Sequence, residues 1–228
     1  MPPAYDPPDG LAPRELVLPA GTELWRCHGT AYPASSFKHE PTRSPFRGGR
    51  FDATADDPFP FLYAAGQSAV ALAEVLLRSL EFGGPAGQRL ISPVRAARHV
   101  LSRVRTTAPL RLIRLIDERD LSAVCQDSWL LEADALGYAH TRYWTQALRR
   151  SAGWAQGMVW QSRRCRPHHA YVLFGDRCGP DALRAEPEVS FDLGTEKGRR
   201  TANRLLARAG LRSAIATPRD GTVRADPR

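Results

Sequence analysis

One segment restricts the fold more than any other. Gln67–Leu80, QSAVALAEVLLRSL, is dense in alanine and leucine, holds neither glycine nor proline, and predicts a helix. Gly83-Gly84-Pro85 marks its end. Immediately before it, Phe59–Ala65 has the aromatic make-up of a short strand. The rest of the chain is built from short pieces. Strands are predicted over Thr22–His28, Val100–Arg105, Leu110–Ile116, Gly157–Gln161, His169–Phe174 and Glu188–Leu193. Helices are predicted over Leu121–Leu131, Tyr138–Ala152 and Thr195–Ala209, the second ending in Arg149 and Arg150, which suit the helix dipole. Thr30–Arg50 contains three prolines and the pair Gly48-Gly49, and reads as an irregular loop. Short strands mixed with a few helices imply a single α+β domain rather than a doubly wound sheet. Residues 1–19, rich in proline, are expected to form a flexible arm, residues 20–212 the domain, and residues 213–228 a tail.

Composition narrows the function classes. No apolar run approaches the roughly 20 residues that a membrane-spanning helix needs, and the N-terminus lacks the charged start and apolar block of a signal peptide, so a cytoplasmic location is expected. The four cysteines, Cys27, Cys125, Cys165 and Cys178, include no C-x-x-C pair, and with His168 and His169 they fit no zinc spacing. A net charge of +8 permits polyanion binding. The arginines are nevertheless scattered, without a stripe of interleaved aromatics, and arginine-rich, lysine-poor usage is also what a GC-rich genome produces. The charge therefore does not argue for nucleic acid.

Three local features carry possible chemistry. In Phe46–Asp52, FRGGRFD, two glycines permit a tight turn before Arg50, whose guanidinium can hold a phosphate or carboxylate in two-pronged fashion. Alone, this reads as a surface turn with an ordinary arginine. Glu74 is the one charge in the apolar stretch from Ser68 to Leu77. It either pairs with Arg78 one turn on or serves as a fixed carboxylate that steadies a developing cation. Gly157–Arg164, GMVWQSRR, is a strand-like run ending in Ser162, without the elbow or nearby base of a nucleophile.

In this order, the three features resemble the RES family, named for its arginine, glutamate and serine. The resemblance runs from Leu24-Trp25-Arg26 through Gly48–Phe51 to Leu62-Tyr63-Ala64, and eleven residues beyond Tyr63 to Glu74 in Ala-Leu-Ala-Glu. It continues through Trp144–Leu148, Gly157–Ser162 and Tyr171–Phe174. It implies a fold similar to the ADP-ribosyltransferases, a curved, split sheet with flanking helices around a cleft for NAD. It also implies cleavage of the nicotinamide–ribose bond by hydrolysis or phosphorolysis, NAD as substrate with no metal, and a toxin neutralised by a cognate antitoxin of the Xre/MbcA kind. ADP-ribose transfer to a protein, or a degenerate domain acting by binding alone, are the alternatives. By the same resemblance Arg26 and Arg50 would clamp the pyrophosphate, Tyr63 would face the nicotinamide, and Glu74 would stabilise the ribosyl oxocarbenium. Ser162 would be an orienting hydroxyl. Asp52 stands where relatives usually have asparagine, a carboxylate that points either into the pyrophosphate site or away from it.

Overall fold

The structure, a computed structural model, describes residues 6–216 except residues 46 and 85. Parts of the expected arm (residues 1–5) and tail (217–228) lie outside the described residues. Eight strands form one sheet in the spatial order β1 (Glu15–Leu18), β6 (Leu110–Leu115), β7 (Gly157–Gln161), β8 (His169–Phe174), β3 (Phe61–Ala65), β2 (Glu23–Gly29), β5 (His99–Thr106), β9 (Leu183–Asp192). All neighbours are antiparallel except β6 and β7. That parallel pair requires a crossover, which α3 (Glu118–Ser122), α4 (Trp129–Glu132), a 3-10 turn (Ala135–Gly137) and α5 (Tyr138–Ser151) supply. A second, two-stranded parallel sheet pairs β4 (Arg89–Ile91) with β10 (Ser213–Ile215). Helices α1 (Ser68–Leu76), α2 (Pro93–Ala96) and α6 (Glu196–Arg208) complete the α+β fold.

The sheet curls. Leu18, Leu24, Leu62, Val104, Leu112, Val159, Leu173 and Leu183 come one from each of the eight strands, yet they meet in a single buried cluster. A flat sheet eight strands wide, with strands roughly 4.8 Å apart, would hold its two edges far from each other. The opposite face of the central strands is buried too. Phe61, Ile113, Met158, Trp160, Val172 and Phe174 pack there with Trp144 and Leu148 of α5. This double burial explains why β7 and β8 are nearly continuous apolar runs rather than alternating ones. Farther along the sheet, Val70, Leu72 and Leu76 of α1 pack with Leu206 of α6 and Leu101 of β5.

Several sequence expectations are corrected. Residues 15–18, assigned to a loose arm, form β1 and pair with β6. The helix expected to reach Leu80 ends at Leu76; at and just beyond its end, free carbonyls find arginine donors, Arg95 donating to Val75 O at 3.0 Å and Arg164 donating to Arg78 O. The single helix expected over Leu121–Leu131 is broken into α3 and α4 where Cys125 turns left-handed, with φ +54°. Strand β9 begins five residues before its expected start at Glu188. Pro187 hid the earlier part. It falls where the β5–β9 register shifts, so its missing N–H breaks no regular ladder bond.

Candidate active site

The turn before Arg50 is folded by its own carboxylate. Asp52 Oδ2 accepts from Thr42 Oγ1 at 2.6 Å and from the Gly49 amide at 2.8 Å, and Oδ1 accepts from the Tyr63 hydroxyl at 2.9 Å. The Phe51 amide donates to the same hydroxyl at 2.9 Å. Such close approach requires both glycines. Gly48 has φ +89°, and a Cβ on it would collide with Asp52 and Thr42, while one on Gly49 would collide with Asp52 and Tyr63. Asp52 is buried in its own loop, so its carboxylate organises the turn rather than facing a ligand. Burial, and next the Asp52 charge, push the Tyr63 hydroxyl well above its usual pKa, so it stays protonated.

Helix α5 locks the turn from the other side. Arg142, buried, donates from Nε to Gly49 O at 3.1 Å, from Nη1 to Ser44 O at 2.7 Å, and from Nη2 to Arg47 O. Thr141 Oγ1 donates to Arg50 O at 2.7 Å, and Arg78 Nη1 donates to Gly48 O at 2.7 Å. The Arg50 guanidinium is thereby held in a buried position. Its Nη2 donates to Ala133 O at 3.1 Å, its carbon lies 5.6 Å from the Tyr138 ring centre, and its Nε has no partner among the described residues. Burial lowers its pKa.

Glu74 and Ser162, 88 residues apart in sequence, meet directly. Ser162 Oγ donates to Glu74 Oε1 at 2.5 Å. Ser162 Oγ in turn accepts from the Arg164 and Cys165 amides, each at 3.2 Å. With both lone pairs of Ser162 taken by amides, its proton is committed to the carboxylate. Ser162 is fully buried, so water does not compete. The Glu74–Arg78 ion pair does not form; Arg78 is turned to Gly48 O and to the Tyr138 ring, 5.2 Å away. Ser162→Ala is expected to leave Glu74 charged but unsteered. Loss of one hydrogen bond to a charged group should lower kcat about tenfold to a hundredfold with little change in KM, as steady-state assays would read.

Glu74 and Arg50 border one cavity. It has a volume of about 430 Å³, a usual size for a small-molecule site, and its charged walls are Arg26, Lys38, Arg50, Arg78, Arg95 and Glu74. Tyr63 and Trp160 stand in its wall edge-on to each other, centroids 6.3 Å apart. A second hollow of about 260 Å³ adjoins it, sharing Arg50, Glu74, Arg78 and Tyr138 and adding Arg163 and Arg164. Arg26 is used differently from the clamp expected of it. Its Nη1 donates to the carbonyls of Pro33 (3.4 Å), Ala34 and Ser36 (3.0 Å), so it first of all bolts down the loop that follows β2. Burial brings its pKa down to about 10, which leaves it fully cationic at neutral pH. Beside it, burial pushes the Cys27 thiol up to about 12, too high for a reactive thiolate. His28, lowered by burial and then by the Arg26 charge, is neutral.

The family model described as the RES domain matches residues 23–194. The chain belongs to the RES family. A crystal structure of the M. tuberculosis MbcT–MbcA toxin–antitoxin complex contains a chain with the same fold, at a TM-score of 0.56 and 16% identity, covering 82% of this chain and 91% of that one. No curated protein matches the sequence. Within the RES domain, the structure brings Arg26, Arg50, Tyr63 and Glu74 to one cavity, with Ser162 bonded to Glu74 from behind the wall. Sequence reasoning missed Asp52 as the organiser of the turn and missed Arg142 altogether. A signal for Arg142 existed: Tyr138, Thr141, Arg142, Thr145 and Arg149 recur at helical spacing on the buried side of α5. Polar residues on a buried face escape any search for apolar periodicity. Among the described residues, no helix is long and apolar enough to cross a membrane.

Proposed function

We propose that this RES domain cleaves the nicotinamide–ribose bond of NAD and acts as the toxin of a toxin–antitoxin pair. The observation that carries the reading is a lone carboxylate, Glu74, fixed by a buried serine in a cavity whose other charged wall residues are all cations. NAD has a matching pattern, with two phosphate charges and a positive nicotinamide ring beside one ribose. In the reaction the C1′–N bond breaks, its electron pair returns to the nicotinamide ring, and neutral nicotinamide leaves. The ribose is left as an oxocarbenium. Glu74, held at Oε1 by Ser162, offers its negative charge to that cation. Water or another nucleophile then bonds to C1′ and gives up a proton. Arg50, whose buried Nε has no partner among the described residues, and Arg78 line both hollows and would hold the pyrophosphate. Trp160 and Tyr63 give an apolar wall for the nicotinamide ring.

The toxin role, and a partner resembling the antitoxin of the MbcT–MbcA complex, are supported by the RES family and the shared fold. Expression of the chain without a partner is expected to lower cellular NAD and arrest growth, and Glu74→Gln is expected to relieve both. Unchanged NAD during strong production of folded protein would contradict the proposal. The basic charge is read as serving NAD and an acidic protein partner rather than nucleic acid, and the protein is read as cytoplasmic.

A further inference from the structure

Tyr138 opens α5 and is buried. Among the described residues, four border both hollows: Arg50, Glu74, Arg78 and Tyr138. Three of them carry the charges that NAD cleavage would use, and the fourth carries none. The first turn of α5 grips Arg50 by its main chain. Thr141 Oγ1 donates to Arg50 O at 2.7 Å and also to Tyr138 O at 3.1 Å. Tyr138 is thereby tied to the turn that presents Arg50.

Its ring gathers two guanidiniums. The Arg50 carbon lies 5.6 Å from the ring centre and the Arg78 carbon 5.2 Å, both inside the roughly 6 Å over which a ring face attracts a cation. The two like charges repel, so something must hold them together. Burial lowers the Arg50 pKa first of all; among its neighbours, Tyr138 and Glu74 then raise it and Arg78 lowers it, as groups sharing one small space do.

Arg78 has another partner within reach. Glu74 stands four residues before it, a spacing at which glutamate and arginine commonly pair. Such a pair would neutralise the one carboxylate in the cavity wall. It does not form: among the described residues no cation pairs with Glu74, whose Oε1 accepts from Ser162. Two contacts draw Arg78 elsewhere, the Gly48 carbonyl at 2.7 Å and the Tyr138 ring. Gly48 is exposed, so water competes for its carbonyl, whereas the ring is buried and attracts a cation with little competition. The ring is therefore the stronger hold. We propose that Tyr138 is a positioning residue, whose ring keeps Arg78 beside Arg50 and off Glu74. Two cations then stay together for a pyrophosphate, and the carboxylate stays unpaired for the ribosyl cation. The placement stands on the geometry alone; its effect on turnover rests on the NAD reading above.

Tyr138→Leu removes the ring and keeps an apolar side chain, and crystal structures read the placement without substrate. In Tyr138→Leu, Arg78 is expected within about 4 Å of the Glu74 carboxylate. In the wild type and in Tyr138→Phe it should stay at Gly48 O. In steady state, Tyr138→Leu should lower kcat for NAD about tenfold, less than loss of the carboxylate charge itself, and should raise KM severalfold. Tyr138→Phe, which keeps the ring, should restore most of both. In an Arg78→Gln background, the same Tyr138→Leu change should cost less than about twofold in kcat, because the cation that would move onto Glu74 is gone. A merely structural tyrosine would lower the melting temperature and cost equally in both backgrounds. Arg78 still at Gly48 O and apart from Glu74 in Tyr138→Leu would overturn the proposal, and so would an equal loss of kcat with and without Arg78. The two readings fail separately. A wild type that leaves NAD intact, with Arg78 moved in Tyr138→Leu, sinks cleavage alone. Cleaved NAD with Arg78 unmoved sinks the positioning alone.

Discussion

Glu74→Gln is expected to retain the fold and much of the affinity for NAD while turnover falls about a hundred- to thousandfold. The amide oxygen of glutamine can still accept the Ser162 proton that now reaches Oε1 at 2.5 Å, so the side chain stays in place. What is lost is the charge. In a partly desolvated cavity, removing one pre-organised electrostatic group typically costs on the order of 3–4 kcal/mol of transition-state stabilisation. A purely structural glutamate on the helix surface would behave otherwise, with a stability change of about 0.5 kcal/mol or less and normal turnover. Arg50→Ala supplies the contrast. Its guanidinium lies at the cavity with an unpartnered Nε, so its removal should raise KM as well as lower kcat. Parallel kinetics and melting curves on the two variants separate these cases.

Arg142→Met is expected to destabilise the domain by about 2–4 kcal/mol. Methionine fills much of the same space but donates nothing. The carbonyls of Gly49, Ser44 and Arg47 would lose their donor together, and a buried acceptor left unpaired costs about 1–3 kcal/mol. Solvent reaches the exposed part of this loop, which keeps the total below the sum of three such penalties. For a domain of this size the melting temperature should fall by roughly 5–15 °C. The turn that holds Arg50 would also loosen, so NAD binding should weaken even well below the new melting point. A shift of about 1 °C or less, with unchanged affinity, would show that Asp52 and the two glycines hold the turn unaided.

The parts of this fold legible in the sequence are those whose burial is uniform. Strands β7 and β8 are buried on both faces, and their apolar runs mark their bounds to the residue. Helix α1 announces itself in the same way, apart from its last expected turn, since it ends at Leu76 rather than Leu80. The short strands β1, β4 and β10 escaped because three or four residues carry too little periodicity, and their pairing partners are remote in sequence. In the site, residue types hinted at Glu74, Arg50 and Ser162, but only the folded chain joins Ser162 to Glu74. Arg26 is the instructive departure. Its type suggests a phosphate ligand, yet three backbone carbonyls claim one of its nitrogens, a use that no local pattern encodes.

The most direct measurement is incubation of the purified protein with NAD, with and without phosphate, followed by separation of the products. Nicotinamide is expected to appear in step with the loss of NAD, with ADP-ribose or its phosphorylated form accounting for the remainder, and Glu74→Gln is expected to abolish nearly all of it. Intact NAD after prolonged incubation with folded wild-type protein would contradict this expectation, and so would release of nicotinamide at an equal rate by Glu74→Gln.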